Sequence, residues 1–157
     1  MKYPLEDLLR VRRFREDEAQ SQLTAARGRL EAAEAALDQA EQALAEYIQR
    51  RERREAELYD EIMLQEVSMK DLDDLKAAIA TLREQQSGYE ERVRQAHQDV
   101  AAATDALEAA RQAYTEAVKN RRKIDEHKGL WTQQEHKRSE AEAEKEMEDF
   151  RVRADDE

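Results

Sequence analysis

The sequence holds no cysteine, one proline and three glycines in 157 residues. Without thiols there are no disulfides and no thiolate metal sites, which suits a reducing compartment. So little proline and glycine leaves almost no turn chemistry for a sheet or for a compact many-element domain. One Trp, two Phe and five Tyr cannot fill a globular core of this size. No apolar run approaches the roughly 20 residues that a membrane-spanning helix needs. The opening MKYPLEDLLRVRR acquires acids at once and has no secretory apolar stretch. These absences make a soluble cytoplasmic protein the expectation.

What remains is charge and periodicity. Charged residues make up 41% of the chain and hydrophobic ones 39%, with a net charge of -11. High charge with low hydrophobicity also describes disordered chains, but here the apolar residues are regularly spaced. Leucine recurs at Leu23, Leu30, Leu37 and Leu44 and resumes at Leu58 after Arg51. Ala26, Ala33, Ala40 and Tyr47 follow three residues behind the first four. A second run begins at Leu72 and passes through Ile79, Gln86, Val93, Val100, Leu107 and Tyr114. Its companions are Leu75, Leu82, Tyr89, Ala96, Ala103, Ala110, Ala117, Ile124 and Trp131. This 3-4 spacing is the seam of a coiled coil, and it stops after Trp131.

Both runs share one heptad phase, so spacing alone also fits a single long helix in a parallel dimer. Three observations favour a hairpin. Ser68 with Asp71 reads as a capping box, a fresh helix start, in a stretch where the seam carries Gln65 and Ser68. Folding there pairs residues whose numbers sum to about 136 or 137, which alternates large layers with small ones along the seam. Leu23 then meets Tyr114, Leu30 meets Leu107, Leu37 meets Val100 and Leu44 meets Val93, with alanine facing alanine between them. Third, a parallel dimer would set seam residues Glu16, Arg51, Arg54 and Arg121 against their own copies. The hairpin instead brings Glu16 to Arg121, Arg51 to Gln86 and Arg54 to Leu82, avoiding like-charge pairs.

The expected architecture is therefore all-α: two long helices in an antiparallel coiled-coil hairpin, one unit over residues 1–157. Helix one is expected over about 4–66, starting at Pro4, the turn over about 66–70, and helix two over about 69–150. At 1.5 Å per residue the paired part spans on the order of 90 Å. Trp131 should lie opposite Leu5. Residues 132–157, with five Lys or Arg against ten Asp or Glu, form an overhanging acidic tail. A self-satisfied hairpin argues for a monomer.

Two surfaces stand out as binding candidates. The fold-back brings Arg10, Arg12, Arg13 and Arg15 beside Lys119, Arg121, Arg122 and Lys123, a basic collar on an acidic molecule. Charge runs are ordinarily solvated helix faces, but here two runs land at one height. Nucleic acid is the weaker partner, because the acidic remainder repels it and no aromatic stacking platform is interleaved with the arginines. At the turn, Leu58, Tyr59, Ile62, Met63, Leu64, Val67 and Met69 cover more than one helix face. Part of that set should be exposed, either wrapping the turn or marking a partner site. Catalytic chemistry is absent: His97, His127 and His136 lack a second ligand at helical spacing, and Gly28, Gly88 and Gly129 stand alone. No enzyme, metal or cofactor is expected.

The start, Tyr3-Pro4-Leu5-Glu6-Asp7-Leu8-Leu9-Arg10-Val11-Arg12-Arg13, resembles the opening of the YscO/SctO family of type III secretion proteins. His127-Lys128-Gly129-Leu130-Trp131, with Glu135, Lys137, Glu140, Ala141, Glu142 and Glu144, is similar to the C-terminal arm of that family. Length and the two-helix pattern fit over the whole chain. The acidic end, Asp155-Asp156-Glu157, is not a feature that the resemblance demands, and it leaves the role of the tail open. The resemblance implies a non-enzymatic, FliJ-like stalk, akin also to the γ-subunit coiled coil of rotary ATPases. It would sit in the bacterial cytoplasm, peripheral to the inner-membrane secretion apparatus. Its implied partners are the hexameric type III secretion ATPase at the paired termini and the export-gate protein, with secretion chaperones for some members. Carried onto this chain, the ATPase-facing part is Arg10, Arg12, Arg13, Arg15, Lys119, Arg122 and Lys123, with Trp131 beyond. The gate-facing tip is Tyr59, Ile62, Met63, Val67 and Met69. A generic coiled-coil scaffold or tether is the alternative.

Overall fold

The chain reverses direction where its backbone chemistry is best supplied for it. Ser68 caps a new helix: its hydroxyl oxygen accepts from the Asp71 N–H at 3.2 Å, and its own N–H donates to Asp71 Oδ2 at 3.1 Å. This reciprocal box satisfies donors that a helix start leaves without partners. It also holds the Asp71 carboxyl below its ordinary value, chiefly through the Ser68 backbone N–H. Before it, Gln65 N–H donates to the Ile62 carbonyl at 3.3 Å, ending the preceding helix in a tight turn.

A computed structural model describes residues 1–156; Glu157, the last of the terminal acids named above, lies outside the described residues. Two helices account for nearly all of it, α1 over Glu6–Met63 (58 residues) and α2 over Met69–Asp155 (87 residues). There is no strand among the described residues. The first helix starts two residues after Pro4, in a turn closed by the Glu6 N–H donating to the Tyr3 carbonyl at 3.3 Å. It stops at Met63, three residues short of the expected 66. The second helix runs on through the acidic tail as far as Asp155, where i,i+4 pairs such as Arg138–Glu142 at 3.5 Å support it.

The helices pair antiparallel in two compact units. One joins Met1–Leu23 to α2 from Ala110 onward; the other is Thr24–Ala109. In the first, Tyr3, Glu6, Arg13 and Glu16 meet Trp131, Lys128, Asp125 and Arg121. In the second, Glu41, Tyr47 and Glu55 meet His97, Tyr89 and Arg83. Numbers rise on one helix as they fall on the other, as a hairpin requires.

Burial follows the expected stripe over most of its length. Leu23, Ala26, Tyr47, Leu75, Ala96 and Leu107 are buried, and Leu30, Ala33, Leu37, Ala40 and Leu44 half-buried. Two helices can enclose only one narrow seam, so few side chains vanish from solvent. Leu9 alone among the described residues is a large, fully enclosed side chain.

Two seam assignments need correction. Arg54 was expected to face Leu82, but its side chain is 50% exposed and pairs with Glu57 on its own helix at 3.1 Å. Glu55 takes the inward position instead, only 14% exposed, bonded to Arg51 at 3.0 Å and to Arg83 at 3.6 Å. Arg51 correspondingly bonds Glu55 and Glu52, while the Gln86 amide donates to Glu90 of its own helix at 2.9 Å. The inward residues there run 47, 51, 55, 58 and 62, so one three-residue step has become four. Such an insertion locally unwinds a coiled coil and lets Ile62 reach the interior in place of Glu61. At the terminus, Trp131 packs on Tyr3, ring centroids 5.3 Å apart, and Leu5, expected opposite it, is 37% exposed.

Candidate partner-binding surfaces

The paired termini are locked by a polar ladder flanking the seam. Arg121 forks onto Glu16, with Nε to Oε2 at 2.6 Å and Nη2 to Oε1 at 3.3 Å, and donates to Asp125 from Nη1 at 2.8 Å. This two-sided grip raises the guanidinium above its ordinary value, Glu16 contributing most, and holds Asp125 below the ordinary carboxylate value. Arg13 reaches the same Asp125 across the helices at 3.4 Å. Further out, Lys128 bonds Glu6 at 2.9 Å, which holds Glu6 low as well. The Tyr3 hydroxyl meets His127 Nδ1 at 2.5 Å, a hydrogen bond in either tautomer. Tyr3 is buried beneath Trp131, with the Lys128 ammonium 5.9 Å from its ring. Trp131 thus closes the seam as a half-buried plug.

The cations expected as a collar lie around this ladder but differ in freedom. Arg10 is tied to Asp7 at 3.9 Å on its own helix and Arg13 to Asp125. Arg12 is half-buried, its Nε enclosed and without a hydrogen-bond partner. With Arg15 it lines a groove of about 330 Å³ against Ala113, Glu116 and Asn120 of α2. Lys119, Arg122 and Lys123 line a second concavity of about 370 Å³ on α2, with Tyr114, Val118 and Glu126. Arg15, Lys119, Arg122 and Lys123 make no ion pair among the described residues. The positive charge is distributed around the helix pair, interrupted by acids, and does not form one continuous face.

One contributor escaped the sequence reading. Phe14, between Arg13 and Arg15, is 68% exposed, and Leu8 and Val11 on the same helix, with Leu5 just before it, are partly exposed. A lone aromatic inside a run of arginines is the signal that marks it, since exposed aromatics beside Arg are typical of interface centres. The Tyr3–His127–Trp131 cluster and the Lys128–Glu6 pair also went unforeseen.

At the helix reversal, Tyr59, Met63, Leu64, Val67 and Met69 are exposed, Met63 at 84%. Ile62 is not: it is half-buried and, with Leu58, Val67 and Leu75, floors a groove of about 300 Å³ rimmed by Glu61, Glu66, Asp71 and Asp74. The surface there is an apolar concavity inside an acidic rim. No group of three or more metal-capable side chains occurs among the described residues. None of the described helices is long and apolar enough to cross a membrane.

Comparison with known proteins bears on these surfaces. The family described as type III secretion protein YscO matches residues 5–153. Among solved structures, type III secretion protein YscO from Vibrio parahaemolyticus superposes with a TM-score of 0.87 at 25% identity, covering 93% of this chain and 92% of that one. CT670 from Chlamydia trachomatis, described as a YscO homologue, gives a TM-score of 0.76 at 25% identity, over 96% of this chain and 92% of that one. No curated protein sequence matches.

Proposed function

The chain belongs to the YscO family of type III secretion proteins, and on that footing we propose that it is a non-enzymatic stalk coupling the hexameric export ATPase to the export gate. The observation that carries this reading is the set of cations at the paired termini. Arg15, Lys119, Arg122 and Lys123 come from both helices and make no ion pair among the described residues, and Arg15 directly follows exposed Phe14. Cation and aromatic together suit a protein partner with an acidic surface. Such a stalk needs no chemistry of its own. Seated asymmetrically in a ring, it would favour some subunit conformations over others by differential contact, and so link hydrolysis to transport.

The stiff ladder of Glu16, Arg121 and Asp125 supports this reading, because a lever must hold its register while its surface is loaded. The apolar groove at the helix reversal, with Tyr59, Met63, Val67 and Met69 around it, is the surface we assign to the gate-side partner. The chain would then act in the bacterial cytoplasm, at the membrane-embedded apparatus but not within it.

The test is turnover of the purified hexameric ATPase with and without the chain. Native protein should stimulate it. A variant carrying Arg15→Glu, Arg122→Glu and Lys123→Glu should not, while remaining helical by circular dichroism. Arg13 is left out because its reversal would set it against Asp125. Absence of stimulation by native protein, or full stimulation by the variant, sinks the stalk reading at this surface.

A further inference from the structure

Midway along the second unit, two tyrosines from opposite helices stack. The Tyr47 and Tyr89 rings lie 4.6 Å apart and 19° from parallel. Tyr47 is buried and held by its hydroxyl, which donates to the Leu82 carbonyl and lies 3.3 Å from Gln85 Oε1. Each ring carries a guanidinium from its own helix, Arg50 at 5.8 Å from the Tyr47 centroid and Arg92 at 5.1 Å from that of Tyr89. Neither arginine makes an ion pair among the described residues, although Arg51, Arg54, Arg83 and Arg94 nearby all do. Stacking on an aromatic face holds a guanidinium in place while leaving its N–H fork free to meet a carboxylate.

Gly88 lines a concavity with both tyrosines and both arginines. A glycine inside a helix costs about 1 kcal/mol against alanine, and here nothing stands within 4 Å of where a Cβ would be. Packing within the chain therefore does not require it. Gly28 and Gly129 are equally open; Gly88 opens into this concavity, of about 520 Å³, whose walls are Tyr47, Arg50, Gln85, Tyr89 and Arg92. From this arrangement we propose that the Tyr47–Tyr89 groove is a docking site for an acidic segment of a partner protein, a Glu or Asp side chain seated over Gly88 between the Arg50 and Arg92 guanidiniums.

Charge selects the class of occupant. Residues 24–109 carry 11 Lys or Arg against 20 Asp or Glu. An extended polyanion, nucleic acid or an anionic membrane, would meet that excess over its whole length. A short protein segment meets the two arginines and only their near neighbours, such as Glu46 and Glu91, because charges beyond the Debye length of about 8 Å are screened at physiological salt. A carboxylate between two Arg forks also forms charge-assisted, bidentate hydrogen bonds.

The experiment uses full-length protein carrying Arg15→Glu, Arg122→Glu and Lys123→Glu, so that the cations at the paired termini do not compete. Its probe is a fluorescein-labelled helical peptide of alanine with glutamate at every third or fourth position, followed by anisotropy, alongside a glutamine counterpart. The glutamate peptide should bind, and the glutamine peptide should bind at least about tenfold more weakly. Adding Arg50→Glu and Arg92→Glu should weaken the glutamate peptide by about tenfold or more. So should Gly88→Leu, which fills the groove without touching a charge and favours the helix, so that lost binding cannot be lost folding. No binding of the glutamate peptide, equal binding of the two peptides, or undiminished binding by either added variant overturns the proposal.

Discussion

Truncating Leu9 separates two descriptions of the paired termini. The heptad spacing places Leu5 opposite Trp131 as the closing layer, whereas the structure packs Tyr3 on Trp131 and buries Leu9 completely, at 0% exposure against 37% for Leu5. Leu9→Ala removes three carbons from a site with no route to solvent. At about 0.8 kcal/mol per methylene plus a cavity penalty, the loss comes to roughly 3 kcal/mol. Leu5→Ala removes the same atoms from a half-open rim that solvent and neighbours can refill, so roughly 1 kcal/mol is expected. For a chain of this size those losses correspond to a fall in Tm of roughly 6 to 12 °C for Leu9 and about 2 to 4 °C for Leu5. Circular dichroism melts give the two shifts side by side. Hydrogen exchange then locates them, since the faster exchange should be confined to Met1–Leu23 and the α2 segment after Ala110. If Leu5→Ala costs as much as Leu9→Ala, the terminal register described above is wrong.

Three further perturbations test other parts of the hairpin. Ser68→Ala should cost about 1 kcal/mol in urea melts, the usual price of a lost N-cap, and Ser68→Thr should recover most of it; no loss would mean the capping box does not set the turn. Glu6, Asp71 and Asp125 are each held below their ordinary values of 4.5, 3.8 and 3.8, by Lys128, by the Ser68 backbone N–H and by Arg121 respectively. The unfolded chain therefore binds more protons than the folded one as these groups titrate, so their stabilisation is complete above about pH 4.5 and is lost as pH falls through the folded values. The urea midpoint should drop below that pH, less so in Asp71→Asn, and a midpoint that is flat to pH 3 would contradict it. Finally, Glu55→Leu paired with Arg51→Leu should leave the chain equally or more stable, as apolar replacement of a half-buried ion pair commonly does, while Arg54→Leu should change thermal stability by less than about 0.5 kcal/mol. The reverse order would restore an uninterrupted heptad.

What the sequence made legible was decided by period and by sign of charge. The Leu and Ala ladders repeat often enough that the seam reads through, and the Ser68–Asp71 box is a local pattern whose geometry needs no distant partner. The Glu16–Arg121 pair was legible too, because opposite charges at seam positions have few other ways to be satisfied. The terminal clasp was not. Tyr3 lies outside the helix, in the turn before Glu6, so no helical period predicts which residue of α2 it reaches. Its meeting with His127 and Trp131 depends on how that turn folds back.

The seam shift near Arg51 shows why spacing failed there while a signal was nonetheless present. An uninterrupted heptad from Leu44 and Tyr47 puts Arg54 and Glu61 inside, while Leu58 and Ile62 stand four residues apart and invite the helix to bury both. Burying Ile62 means advancing the inward face by one residue, which turns Arg54 out and Glu55 in. A lone buried carboxylate would oppose that advance, but Arg51 and Arg83 meet it from both helices. The gain from Ile62 and the ready-made partners for Glu55 therefore favour the same phase, and the groove beneath the exposed methionines follows from it. A pattern that counts apolar positions alone sees only the first of these. The second becomes visible once α2 supplies Arg83, a residue 28 positions away in sequence from the glutamate that it neutralises.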